Sequence, residues 1–325
     1  MRQFLTTLAV VWLAASIAAY FYSQQQRIPQ WILIAVLPAF LIEIAFYLVP
    51  GFAAVRKAFD HLGSKGVRAA LLALSALLPY LIASLGTATF ALSSFLILLS
   101  VVLVASFWYA LIRPGILADL LFLALMAVVY LSKVFDHIYG RPFPHVALAI
   151  LGQLMWIRLG LLAVLSLRTL EDVHFGFLPS PREWRVGVQF YLGFLPVGMA
   201  LGYWVRFARF HPQHLEWWKF ALLLLGTFLA FLWVVGLAEE FFFRAFLQQL
   251  LARQAHSDVL GLALASFLFG LAHLSFGLFP NWRFALLGGV AGLFYGLAFL
   301  KARSVRASMV THALVVTTWR MLFAG

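Results

Sequence analysis

The chain reads as a succession of long apolar stretches separated by short polar ones. A helix needs about 20 apolar residues to cross the hydrocarbon core of a bilayer. Stretches near that length recur along the chain, at 4–22, 31–49, 68–86, 90–112, 116–132, 146–167, 186–204, 219–237, 257–277, 284–300 and 305–323. The pattern predicts an all-α, polytopic helical membrane protein with about 11 transmembrane helices. The first stretch runs into Ser23-Gln24-Gln25-Gln26-Arg27 without a small-residue cleavage site, so it is read as a retained helix rather than a removed signal peptide. Among the polar interruptions, the one holding Leu178-Pro179-Ser180-Pro181 is the best internal boundary, because Pro-x-Pro breaks a helix. The expected division is 1–167, an accessory transmembrane region of about six helices, and 168–325, a second region.

Composition sharpens this picture. Of 325 residues, 64% are hydrophobic and only 10% charged, where soluble domains carry about 25%. A soluble enzyme, a disordered chain and a disulfide scaffold are all excluded, and the localisation expected is integral membrane, multi-pass. The absence of Cys removes thiolate nucleophiles and thiolate metal sites, leaving His, Glu, Asp and Ser for chemistry. The net charge of +12 belongs to loops that set orientation and meet anionic head groups. Membrane lipid is therefore an expected partner, and nucleic acid is not.

An ionisable side chain at the centre of a membrane helix costs about 2.5–3.5 kcal/mol on insertion scales, so each one needs a reason. Glu43, Asp119 and Arg158 fall one to a helix, far apart in sequence; they either form interhelical ion pairs or line a polar path, with pairing favoured. A different arrangement follows in the second region, where the eighth stretch runs through Gly236-Leu237-Ala238 into Glu239-Glu240-Phe241-Phe242-Phe243-Arg244. Adjacent helical residues project about 100° apart. Glu240 and Arg244, at i and i+4 with Glu on the N-terminal side, suit a same-face ion pair. That pair satisfies Glu240 and leaves Glu239 pointing elsewhere, available as a general base.

Two histidines join this cluster. His273 falls within the ninth stretch and His312 within the last, on separate predicted helices. Together with Glu239 they supply a base and two imidazoles that can orient water, stabilise developing charge or bind a metal. No further cofactor is called for; a divalent metal, if one is used, would take Glu239, His273 and His312. The spacing Gly288-x-x-x-Gly292-x-x-x-Gly296 reads as helix packing rather than chemistry.

Taken in order, Glu-Glu-x-x-x-Arg, Phe-x-x-x-His and His-Ala on successive membrane helices resemble the CAAX protease and bacteriocin-processing family of intramembrane endopeptidases, which includes the Ras-converting-enzyme (type II CAAX prenyl endopeptidase) kind. The resemblance covers 168–325 and is strongest over 233–316. It implies a glutamate-dependent membrane protease in which Glu239 activates water, His273 and His312 complete the catalytic cluster, and Glu240 and Arg244 brace it, with a protein or peptide as substrate. One position departs. Where the family commonly has Asn or Asp four residues after the last His, this chain has Val316, which removes a donor for the scissile carbonyl; Thr317 beside it is rotated about 100° away.

Other intramembrane protease chemistries fit poorly, since there is no His-Glu-x-x-His, no Gly-x-Ser-Gly, and only Asp119 as a mid-span aspartate. Two alternatives stand beside the protease: a transporter or ion-path protein using the same ionisable groups, and a catalytically inactive binding or immunity protein. The absence of a visible internal repeat weighs against the first.

Overall fold

The computed structural model describes residues 1–170, 173–213 and 215–324. The chain divides into two compact units, Met1–Glu171 and Asp172–Gly325, a few residues beyond the division expected at 167/168. The first unit contains α1 (Arg2–Gln25), α2 (Gln30–Leu48), α3 (Ala53–Asp60), α4 (Lys65–Gly86), α5 (Leu92–Leu111), α6 (Ile116–Leu131), α7 (Val134–Ile138) and α8 (Ala149–Leu162). The second contains α9 (Pro181–Trp204), the short strand β1 (Arg209–Phe210), α10 (Trp217–Ala255), α11 (Asp258–Ala272), α12 (Trp282–Ala302), α13 (Val305–Leu322) and β2 (Phe323–Ala324), which pairs antiparallel with β1.

This is an all-α, multi-pass membrane protein. Among the described residues, nine helices are long and apolar enough to cross a bilayer, against the eleven expected. The two that fall out are α6, which is only 16 residues long, and α13. The last carries Arg306, Thr311, His312, Thr317, Thr318 and Arg320; Arg306, Thr311, His312 and Thr318 have hydrogen-bond partners inside the second unit, so its apolar content need not match that of a lipid-facing helix.

In the first unit, the isolated charges resolve into pairs. Arg158 of α8 grips Glu43 of α2 with two parallel hydrogen bonds, Nε to Oε1 at 2.7 Å and Nη2 to Oε2 at 3.2 Å. It also donates to the hydroxyl and carbonyl oxygens of Ser75 on α4. Asp119 lies in the first turn of α6 rather than mid-span, because that helix begins only at Ile116. It accepts from Arg168 at 2.8 and 2.6 Å and from Tyr109 at 2.9 Å.

In the second unit, the Ser180 side chain and Glu183 form a reciprocal capping box that starts α9. The Glu183 carboxylate also accepts from Arg306 at 3.0 Å and from the hydroxyl of Ser304, the N-cap of α13. One carboxylate therefore ties the starts of α9 and α13 together and fixes the height at which α13 presents its side chains. Thr311 adds a 3.0 Å bond to the Gly187 carbonyl of α9.

Candidate active site

The site is built on α10, a continuous helical run of 39 residues. It is not uniformly α-helical: π turns occupy Phe231–Val235 and Phe241–Gln248, and the α-helical piece between them is Gly236–Glu240. Each π turn widens the helix by an extra residue per hydrogen-bonded ring, which redirects the side chains that follow; such turns are often found at functional sites. The two carboxylates thus sit well inside a helix that continues to Ala255, not at its end.

Glu240 and Arg244 are both fully buried and paired at 3.2 Å, Nε to Oε2. Arg244 also donates through Nη1 to Ser266 of α11 and toward Gln248, and its guanidinium lies over the Phe269 ring. The other oxygen of Glu240 accepts from Nδ1 of His312 at 2.7 Å. Ser308, one turn before His312, donates to Glu240 Oε2 and lies 2.9 Å from the Tyr295 carbonyl. A charge this deep is tolerable only when every oxygen is occupied, and Glu240 has three partners from two helices.

Glu239 is held differently. It is 27% exposed, and its Oε2 lies 3.9 Å from Nε2 of His312. That distance is too long for a direct hydrogen bond but suits one water placed off the line between them, about 2.8 Å from each. Both carboxylates flank one imidazole. The ring carries a nitrogen on each of two edges, so a single His312 spans the angle between adjacent helical residues. Because Nδ1 faces a carboxylate oxygen, it carries the proton in the neutral ring and Nε2 presents its lone pair toward Glu239.

His273 does not lie mid-helix. α11 ends at Ala272, and His273 opens a single 3₁₀ turn, His273–Ser275, ahead of the Gly277 and Pro280 loop. Its Nδ1 donates to the Phe269 carbonyl at 2.7 Å, which again leaves Nε2 as the acceptor edge. Phe269 is the link between the imidazoles: its ring centroid is 4.7 Å from that of His273 and 6.2 Å from that of His312. The structure therefore bonds Glu240 to both Arg244 and His312, places Glu239 3.9 Å from His312, and sets His273 beside them across one aromatic ring.

The glycine spacing on α12 acquires a specific meaning. A Cβ at Gly288 would lie 3.2 Å from the His273 ring, one at Gly292 3.1 Å from Arg244 Nη2, and one at Gly296 2.6 Å from the Gln248 side-chain oxygen. The three glycines seat three polar side chains of the site, one per turn, so what reads as packing is packing against the site itself.

Several neighbours were not legible as site residues. Ser308 stands at i−4 to His312, a spacing that marks it as a same-face partner. Glu183 is signalled by the Ser180-x-x-Glu183 box. Gln248 stands likewise at i+4 to Arg244, whereas for Tyr295, whose ring stacks on His312 at 4.7 Å and 14°, and for Ser266, no sequence signal is present. Val316, which is half-buried, lies one turn beyond His312 on the same face.

Among the described residues, no three His, Asp or Glu side chains come together as ligands would around a metal ion. No chemical step is derived through a metal.

With this geometry in view, the comparison with known families is decisive for the region that carries it. Residues 220–318 match the family model described as type II CAAX prenyl endopeptidase Rce1-like. That stretch is similar to an Rce1-like domain. The match begins in α10 and ends in α13, so it spans every residue of the Glu239–His312 cluster. The Rce1-like assignment supports an intramembrane endopeptidase in general. No curated protein and no solved structure matches the chain significantly.

Proposed function

We propose that this protein is a glutamate-dependent intramembrane endopeptidase that hydrolyses a peptide bond of a protein or peptide substrate at the membrane boundary. The observation that carries the reading is the 3.9 Å separation of Glu239 and His312 Nε2, together with the anchoring of the other imidazole edge by Glu240.

In this mechanism, a water bridges Glu239 and His312. Glu239 removes one of its protons as the water oxygen forms a bond to the scissile carbonyl carbon, and the carbonyl π pair moves onto oxygen. When that pair returns, the C–N bond breaks, and the proton held by Glu239 goes to the leaving amine. The remaining proton of the water leaves with the new carboxylic acid, which ionises in water. Glu240, held by Arg244 and Ser308, fixes the tautomer and the plane of His312, as the carboxylate does for the histidine of a serine-protease triad. His273, on the far side of the Phe269 ring from His312, is assigned a part in holding the substrate.

The test is cleavage by the purified full chain, reconstituted in lipid nanodiscs, of a peptide set ending in Cys-aliphatic-aliphatic-X, each member present in prenylated and unmodified form. Products are read by mass spectrometry. Wild-type cleavage at one bond, lost in Glu239→Gln and His312→Gln, is expected. Full activity in Glu239→Gln removes the role given to that carboxylate. Preference between the two peptide forms decides whether the family's prenyl specificity extends to this chain.

A further inference from the structure

Resting on that reading, the site can be asked where it finds a hydrogen-bond donor for the oxyanion that forms as water attacks. Such a donor acts on the developing charge and is usually among the largest contributors to acyl-transfer catalysis. Carboxylates Glu239 and Glu240 only accept. The Nδ1 proton of His312 is given to Glu240, and that of His273 to the Phe269 carbonyl. Were His312 doubly protonated, its second N–H would face Glu239. Ser308 is committed to Glu240.

Three other unpartnered donors lie nearby, and none faces this space. Arg244 Nη2 and Gln248 Nε2 have no hydrogen-bond partner among the described residues. Both belong to side chains seated against α12, at Gly292 and Gly296, and Gln248 is two turns further along α10 than Glu240. Thr317 Oγ1 is likewise unpartnered, but five residues on from His312 place it about 140° round α13.

Tyr295 remains. Its side chain is 2% exposed, its ring lies flat against His312 at 4.7 Å, and its phenol is within electrostatic reach of both Glu239 and Glu240. Among the described residues, the hydroxyl makes no hydrogen bond. The ring belongs to a buried cluster with Phe194, Phe269, Ala291 and Val315, which restricts its rotamers. A hydroxyl held on a stacked ring and given to no acceptor is a donor still available to a substrate oxygen, and its ring lies on the imidazole that Glu239 faces.

We infer that Tyr295 is a catalytic residue: its hydroxyl donates a hydrogen bond to the scissile carbonyl oxygen and holds the oxyanion of the tetrahedral intermediate, in the role that Val316 cannot fill. The phenol keeps its proton throughout, so water attack and amine departure remain balanced as written above.

The experiment measures kcat and KM for Tyr295→Phe, beside wild type and Glu239→Gln, on whichever peptide the wild type cleaves. Phe keeps the stacking on His312 and deletes only the donor. The expected result is a kcat about 100- to 1000-fold lower with KM nearly unchanged, at an unaltered melting temperature. A kcat within about twofold of wild type overturns the inference, while an inactive Glu239→Gln in the same series leaves the protease reading standing. If Tyr295→Phe is itself unstable, 3-fluorotyrosine at position 295 replaces it, retaining ring and hydroxyl while making the phenol more acidic. The alkaline limb of kcat then moves to lower pH; an unmoved limb overturns the inference. A wild type that cleaves none of the peptides overturns both readings together.

Discussion

Each unit buries a glutamate against an arginine, and the two pairs differ in what is left over. In Glu43–Arg158, both carboxylate oxygens go to one guanidinium in a bidentate grip, and Ser75 takes its remaining donors. The pair is closed on three helices. In Glu240–Arg244, only one oxygen goes to the arginine, and the other orients an imidazole whose far edge meets a second, partly exposed carboxylate. Both arrangements satisfy the demand that a buried charge be paired. Only the second leads on to a carboxylate that is partly exposed. The lesson is that burial of charge in a membrane helix does not distinguish structure from chemistry; the saturation of the last acceptor does.

That contrast can be broken by substitution. Removing the open carboxylate with Glu239→Gln should lower the rate of peptide cleavage by about 10²- to 10⁴-fold, the range for loss of a general base, with little change in melting temperature; a stability loss with normal activity would erase the distinction. Opening the closed pair with Arg158→Leu should do the reverse. An uncompensated Glu43 is expected to cost about 3–5 kcal/mol of stability, seen as lower yield and an earlier thermal transition in nanodiscs, while kcat per folded molecule stays within about twofold.

Gly288→Ala sharpens the comparison within the second unit. A methyl group 3.2 Å from the His273 ring forces that ring to shift, so activity should drop about tenfold for an overpacking cost of about 1–3 kcal/mol. Gly226→Ala on α10, where a Cβ meets nothing within 4 Å, is the matched control and should leave the rate unaltered. The smallest effect belongs to the exposed Lys219–Glu216 pair: Lys219→Ala should move neither stability nor cleavage measurably, as exposed ion pairs contribute little.

The membrane class and the order of the chemical residues were legible because charge is so sparse in this chain that each buried carboxylate stands out. Glu240 and Arg244 could be paired from spacing alone. What helical arithmetic does not contain is the π turns on either side of Gly236–Glu240, which alter the projection of everything after them. Nor does it reveal that His312 has two usable edges and so receives both carboxylates. Asp119 and His273 were placed mid-span because apolar runs continue past them, whereas the helices begin at Ile116 and end at Ala272. Tyr295 was silent for another reason: an aromatic residue among aromatics carries no pattern, and only contact with His312 distinguishes it.

The length of α10 bears on how a hydrolase in lipid obtains its water. At 1.5 Å per residue, 39 residues extend about 58 Å, nearly twice the ~30 Å hydrocarbon thickness. Trp217, Trp218 and Lys219 at its start are the residue types that settle at a head-group boundary. Counted from them, Glu239 stands about 33 Å along the helix, one full hydrocarbon layer away. In the proposed mechanism, that length would bring the carboxylate to the opposite boundary, where water is a bulk reagent.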